Sequence, residues 1–420
     1  MEKFVINGGV PLRGEITIQG AKNSVLPLLA STLLCRDDTI LNNCPNLTDT
    51  AVAIDILKCL GAKVEQKGKT IKVNTKNIIG DEIPEFLMDK MRSSIFFLGA
   101  IIARQGKAKI SLPGGCELGP RPIDLHISAL EKMGVTTTET DDYISCEVKG
   151  KLQGAMIRLA FPSVGATENI IMAGAVAQGE TIIKNAALEP EIVDLANYLN
   201  SCGAKIAGAG TKTIAIKGVS KLHGTEHTVI SDRIAAATHL SAVASTGGYI
   251  TIKKINPDYL TEIIPTFEKS GCEIKIYNDS ILLKAPSRLR GVGEIITAPY
   301  PDFPTDAQAP IMAMLSTANG TSSFVENIFE SRFWHVRELK KMGANIAIEG
   351  KKAAIVGVGK IRGAQVSAYD LRGGAAMVVA GLSAEGITVV NNLRYIDRGY
   401  ENMEDTYRSL GGDIKRIITE

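Results

Sequence analysis

No run of apolar residues in this chain is long enough to span a membrane. The best, Ile95 to Ala103, is stopped by Arg104, far short of the roughly 20 residues that a spanning helix needs. The opening Met1-Glu2-Lys3-Phe4-Val5-Ile6-Asn7-Gly8 has no apolar signal-peptide core. Both absences point to a cytoplasmic protein with no membrane partner. Excess charge of one sign is missing too: 47 Lys and Arg face 45 Asp and Glu, a formal net charge of +2. That argues against a surface designed for nucleic acid or another polyanion, so any anion site must be built locally. The seven cysteines, at 35, 44, 59, 116, 146, 202 and 272, are odd in number and form no framework. No disulfides are expected.

Catalytic signatures of several common classes are absent as well. Gly68-Lys69-Thr70 has Lys63 where a P-loop requires its first glycine, and Gly357-Val-Gly359-Lys-Ile-Arg-Gly363 misses the dinucleotide fingerprint by one residue. His223 and His227 are four apart, but Gly224 and Thr225 spoil the helix that would face them together. Nothing resembles a Ser-His-Asp signature. No metal and no cofactor are expected.

What the sequence does contain is a repeat. A helix end, a glycine, then an alternating strand recur six times, at Gly61, Gly134, Gly203, Gly271, Gly343 and Gly411, spaced 73, 69, 68, 72 and 68 residues apart. A glycine there serves as the left-handed cap that ends a helix and turns the chain into a strand. In the first five copies turn residues such as Lys67-Gly68-Lys69 and Asn278-Asp279-Ser280 predict a hairpin after the strand. Two helical patterns precede each glycine, as at Ser24 to Leu34 and Thr48 to Leu60. Modules this long, in a chain this long, predict two domains of three modules each. The polar stretch Lys221 to Thr228 reads as the crossing between halves, with a second near Gln19-Gly20 and the N-terminal strand pairing into the C-terminal domain. Helices starting at Ser163, Ser231, Thr305 and Asp370 carry good N-cap residues, and Thr305 to Gln308 fits a capping box.

Two features carry chemistry. Pro113-Gly-Gly-Cys116-Glu-Leu-Gly-Pro-Arg121-Pro122 reads as a hinged loop with a thiol between Glu117 and Arg121, a candidate lid. Lys22, Arg92, Arg121, Arg332, Arg372 and Arg398 all sit at Gly- or Ser-rich element ends, where binding groups tend to lie. Arginine forks match carboxylate and phosphate oxygens, so the set predicts a small, highly anionic substrate.

These residues resemble the UDP-N-acetylglucosamine 1-carboxyvinyltransferase family of enolpyruvyl transferases over the whole chain. The matching stretches include Ala21-Lys22-Asn23, the Cys116 loop with Arg121-Pro122-Ile123-Asp124-Leu125-His126, Ser163-Val164, Ser231-Asp-Arg233, Pro304-Thr-Asp306, Glu330-Ser-Arg332, Asp370-Leu-Arg372 and Asp397-Arg398-Gly-Tyr-Glu401. The resemblance implies an α/β (α+β) fold: a two-domain inside-out α/β barrel, each domain three repeated mixed sheet-helix modules with pseudo-three-fold symmetry. The expected boundaries are 22–230 for the N-terminal domain and 1–21 with 231–420 for the C-terminal one.

It further implies that phosphoenolpyruvate donates its enolpyruvyl group to the 3-hydroxyl of UDP-N-acetylglucosamine for peptidoglycan synthesis, and that the epoxide phosphonate fosfomycin targets the enzyme. Lys22, Arg121 and Arg398 would hold the phosphate, and Arg332 and Arg372 the carboxylate. Asn23, Asp306 and Ile328 would hold the sugar. Arg121, Pro122, Ile123, Asp124 and Leu125 would hold the uridine, with Arg92, Ser163 and Val164 on the nucleotide side. Asp306 is the expected base and Cys116 the expected acid. A sister enzyme using shikimate phosphate and a non-catalytic nucleotide-sugar sensor are the rival readings. A monomer is expected.

Overall fold

The computed structural model describes residues 2–111, 123–140 and 142–418, without the side chains of residues 92 and 93. The chain divides into two compact units, one of residues 20–111 and 123–230, the other of 2–19 and 231–418. The six repeat glycines all adopt left-handed backbone, with φ between 89° and 102°. Each therefore occupies a conformation that a side chain would strain, at the point where a helix gives way to a strand.

The third module shows the plan. Strand Met156–Arg158 leads into helix Val164–Gly174, then strand Glu180–Lys184, helix Pro190–Ser201, and the hairpin Lys205–Ala207 with Thr213–Lys217. The first two strands pair in parallel, as a helical crossover demands, and the hairpin adds antiparallel strands to one edge. Six such open sheets of four strands each account for the strand pairing, and none closes on itself among the described residues. The fold is thus mixed α/β, with the repeat expressed as sheets.

Three modules borrow strands. The sixth copy has no hairpin; instead strand Glu2–Asn7 lies antiparallel between Ile387–Asn391 and Asp413–Ile418, with Phe4 opposite Val390 and Arg416. Strand Arg13–Thr17 pairs in parallel with Tyr249–Lys253, and Glu226–Thr228 with Asp38–Asn42. The stretch Lys221 to Thr228 is therefore not a crossing. Its polarity is that of a short edge strand with two exposed side chains, and the units divide after Ile230.

In the C-terminal unit three helices, Arg233–Thr246, Thr305–Leu315 and Leu371–Ser383, pack on one another and are buried all round. All three are rich in Ala, and the third adds Gly373, Gly374 and Gly381, which permits close approach. In the other unit helix Phe97–Gln105 packs against both Lys22–Ser31 and Val164–Gly174. A Cβ on Gly99 would lie 2.5 Å from the Asn169 carbonyl oxygen. Glycine lets the two helices touch there, and the Asn169 side chain accepts from Gly99 N–H at 2.6 Å. No helix among the described residues is long and apolar enough to cross a membrane.

Two of the capping expectations change. Asp232, not Ser231, caps the helix Arg233–Thr246, accepting from Ile234 and Ala235 N–H. Thr305 is already helical after Pro304, and its hydroxyl donates to Glu326 at 2.9 Å, while the Gln308 amide turns to the Met312 sulfur. A stronger acceptor across the chain draws Thr305 away from a local box.

Burial of His239 generates a pH dependence. Its ring is inside the helix bundle against Tyr407, with Nδ1 3.2 Å from the hydroxyl, and desolvation lowers its pKa from 6.5 to about 4. The unfolded chain binds this proton below pH 6.5 and the folded one does not until about pH 4, so stability falls as pH drops through that window. The expected loss is on the order of 3 kcal/mol. Denaturant unfolding from pH 7 to pH 4 should show that slope reduced in His239→Gln; parallel curves would refute the assignment.

Candidate active site

In the N-terminal unit, Lys22 and Asn23 open the first turn of helix Lys22–Ser31. The Lys22 ammonium is buried and pairs with Asp49 at 3.1 Å, itself in the first turn of helix Thr48–Cys59. Lys22 also acts electrostatically on Glu168, whose carboxyl is pushed well above its usual range by burial first, then by Glu191 and Glu189. Ser163 caps helix Val164–Gly174, accepting from Ala166 N–H at 3.3 Å.

Ile123, Asp124 and Leu125 begin helix Asp124–Lys132, which packs on Val164–Gly174. His126 closes that contact: a Cβ on Gly165 would lie 3.0 Å from its ring, and its Nδ1 is 2.7 Å from the Asn169 amide. Desolvation lowers the pKa of this imidazole to about 4, so it is neutral at pH 7. Residues 123–125 and 163–164 are thereby brought together. Cys116, Arg121 and Pro122, with the whole loop 113–122, lie outside the described residues, as does the Arg92 side chain; the Arg92 backbone starts the short helix Arg92–Phe96.

In the C-terminal unit, Asp306 is the centre of an ion-pair array. Arg332 Nη2 donates to its Oδ1 at 2.7 Å and Arg372 Nη2 to its Oδ2 at 3.0 Å. Both arginine side chains are almost fully buried, at 4% and 3% exposure, whereas Asp306 keeps 28%. Arg372 Nη1 donates to the Tyr400 hydroxyl at 3.1 Å, and that hydroxyl is 2.8 Å from Thr238 Oγ1. Although burial opposes the charge on Arg372, Tyr400, Asp306 and Asp232 more than offset it, and its pKa rises. Asp370 caps the helix that carries Arg372, accepting from Arg372 and Gly373 N–H at 2.9 Å.

Ile328 sits half-buried in the loop after strand Thr321–Val325, where Glu326 Oε1 accepts its N–H at 2.8 Å. Arg398 is half-buried in the turn before Gly399. The neighbouring Asp397 makes a forked pair with Arg416, at 3.0 and 2.7 Å.

Residues 6–407 match the family model described as EPSP synthase (3-phosphoshikimate 1-carboxyvinyltransferase). A protein of Caldanaerobacter subterraneus subsp. tengcongensis named UDP-N-acetylglucosamine 1-carboxyvinyltransferase 2 is 52% identical over 419 residues, covering 100% of both chains. The UDP-N-acetylglucosamine 1-carboxyvinyltransferase of Finegoldia magna is 46% identical, again over 100% of each. The chain belongs to the UDP-N-acetylglucosamine 1-carboxyvinyltransferase family. Among solved structures, the enolpyruvyl transferase NikO from Streptomyces tendae superposes with a TM-score of 0.90 at 24% identity, covering 99% of this chain and 98% of that one. EPSP synthase from Acinetobacter baumannii gives 0.74 at 18% identity over 100% of both. These two likenesses establish the fold.

Within this carboxyvinyltransferase chain, three partners went unread in the sequence. Asp49 could have been suspected from its place in a helix first turn, where a carboxylate suits the dipole. Glu326 bonds Thr305 and the Ile328 loop at once, and Tyr400 holds Arg372, but neither has a local signature. Among the described residues no group of His, Cys, Asp and Glu is arranged to hold a metal ion.

The array can attract an anion and offer it fixed guanidinium donors, beside a carboxylate able to accept a proton. Asp306→Asn should leave two buried guanidiniums without their shared counter-charge. Stability should fall by about 2 kcal/mol, less than for a fully buried pair because Asp306 is partly solvated. Sulfate should restore part of the loss by supplying negative charge. Thermal unfolding with and without sulfate checks this, and an unchanged midpoint would contradict it.

Proposed function

We propose that the protein transfers the enolpyruvyl group of phosphoenolpyruvate to the 3-hydroxyl of UDP-N-acetylglucosamine, releasing phosphate, in peptidoglycan precursor synthesis. The observation that supports this most is Asp306 bonded on both oxygens by buried Arg332 and Arg372, which puts a proton acceptor among cations suited to an anionic donor. The chemistry adds the hydroxyl oxygen to the substituted enol carbon while a proton goes to the methylene. Phosphate then leaves as a methyl proton is lost, restoring the double bond.

In this reading Asp306 takes the hydroxyl proton. A carboxylate has about four lone-pair sites, so two guanidinium bonds leave acceptor capacity for it. Cys116 delivers the proton to the methylene. Arg332 and Arg372 hold the carboxylate of phosphoenolpyruvate, as buried guanidiniums whose forks match carboxylate oxygens. Lys22, Arg121 and Arg398 hold its phosphate. Asn23, Asp306 and Ile328 hold the sugar. Arg121, Pro122, Ile123, Asp124 and Leu125 hold the uridine, and Arg92, Ser163 and Val164 the nucleotide side. The protein works as a cytoplasmic monomer without a cofactor.

Phosphate release tests the reading. It should require phosphoenolpyruvate and UDP-N-acetylglucosamine together and should not occur with shikimate 3-phosphate as acceptor; the reverse preference would overturn the acceptor, and no release with either would overturn the activity. Asp306→Asn should lower turnover at least about 10²-fold, the usual size of a general-base contribution. Turnover within a few-fold of the unaltered protein would remove Asp306 from that role. Arg398→Lys keeps the charge but loses the fork, and the phosphoenolpyruvate KM should rise about tenfold or more. An unchanged KM would reduce Arg398 to a surface charge.

A further inference from the structure

The turn that carries Arg398 is held by a side chain from the opposite end of the chain. Gln19 is only 6% exposed. Its Nε2 donates to the Gly399 carbonyl at 3.0 Å and its Oε1 accepts from the Glu401 N–H at 2.9 Å. One planar carboxamide thus spans the two backbone groups just after Arg398. The Gln19 backbone carbonyl in turn accepts from the Asp232 N–H at 3.0 Å, next to the cap of helix Arg233–Thr246. Tyr400, which lies between the two bridged residues, uses its hydroxyl to hold Arg372 at 3.1 Å.

We propose that Gln19 is a positioning residue for enolpyruvyl transfer. It fixes the backbone on which the Arg398 guanidinium is mounted, through the carbonyl of Gly399 and the N–H of Glu401. The inference rests on the reading of Arg398 as a ligand of phosphoenolpyruvate. The position demands one donor and one acceptor at fixed separation. Leucine has neither, asparagine is one methylene too short, and an ionised glutamate would set an acceptor against the Gly399 carbonyl. The turn does not depend on Gln19 for its existence. Asp397 is separately tied to Arg416, which also bonds Glu404 at 2.6 Å. Losing the carboxamide should therefore shift the guanidinium without unfolding the turn.

The experiment is a steady-state comparison of the full-length protein with Gln19→Leu, Gln19→Glu, Arg398→Ala and the double variant Gln19→Leu, Arg398→Ala. Gln19→Leu should lower kcat/KM for phosphoenolpyruvate about 10- to 100-fold, the scale of a small misplacement of a binding group. The KM for UDP-N-acetylglucosamine should stay within about two-fold, and in the Arg398→Ala background the same substitution should change kcat/KM by less than about two-fold, because the group it positions is gone. Gln19→Glu should recover phosphoenolpyruvate kcat/KM as pH is lowered, since a neutral carboxyl again offers one donor and one acceptor. That variant decides the matter should Gln19→Leu fail to fold.

Equal effects of Gln19→Leu with and without Arg398, parallel rises in both KM values, or a Gln19→Glu profile with no recovery would each overturn the proposal alone. An Arg398→Ala variant with unchanged phosphoenolpyruvate kinetics would instead overturn the ligand reading beneath it, and the proposal with it.

Discussion

A guanidinium cannot shed its proton to escape burial, so an arginine inside a protein must be given its partners in place. Arg332 and Arg372 meet that demand by sharing the carboxylate of Asp306, with Tyr400 and Asp232 as additional support for Arg372. The consequence reaches beyond charge balance. Because each side chain is buried and bonded, its donors are held in fixed directions before any ligand arrives, which is the condition under which charged groups stabilise a developing charge without reorganising. Asp306 in turn keeps enough exposure to meet a substrate.

Why charges collect where they do follows from the inner helices. Segments such as Ile234 to Ala244 and Ala375 to Leu382 are buried on every side, so no mid-helix position can carry a solvated charge. The first turns are the exception, since they reach the helix ends, where a charged side chain can meet a partner such as Asp49 for Lys22 or Asp306 for Arg372. Lys22 and Asn23, Ser163 and Val164, Asp306, and Arg372 all lie there. Among the described residues the chain passes from one unit to the other at the same kind of place, just before Lys22–Ser31 and just before Arg233–Thr246. Ala21 N–H bonds the Ile230 carbonyl and Asp232 N–H the Gln19 carbonyl, so the passing segments are tied by backbone.

Much of this was legible without coordinates, for particular reasons. The six glycines announced the module because a left-handed helix end has few substitutes, and the hairpins announced themselves by turn residues. The missing sixth hairpin marked the place that strand Glu2–Asn7 fills. Most of the arginines could be singled out because their neighbours are glycine and serine. What could not be read were choices between partners. Thr305 looks like a cap and bonds Glu326 instead; Ser231 looks like a cap beside the Asp232 that is one; Gln19 looks like part of a linker and is a buried bridge. For Thr305 and Gln19 the decision is made by a group from a distant part of the sequence, 21 residues away for Thr305 and 380 for Gln19 to Gly399. No local pattern carries that information.

The repeat also explains how one scaffold hosts asymmetric chemistry. Helices Lys22–Ser31 and Thr305–Leu315 hold equivalent places in their modules and share an oddity, a proline inside, at Pro27 and Pro310. Each proline lacks the N–H that would bond the carbonyl four residues earlier, and those carbonyls belong to Asn23 and Asp306. A proline within a helix is tolerated only where surrounding packing over-determines the geometry, and here both helices are buried against neighbours. The modules therefore agree in their element order, including the site of the proline, and differ in the side chains mounted on the first turn: a lysine and an amide on one, a carboxylate on the other, an arginine and a serine cap elsewhere. Repetition supplies six similar helix starts, and the chemistry resides in the residues by which those starts differ.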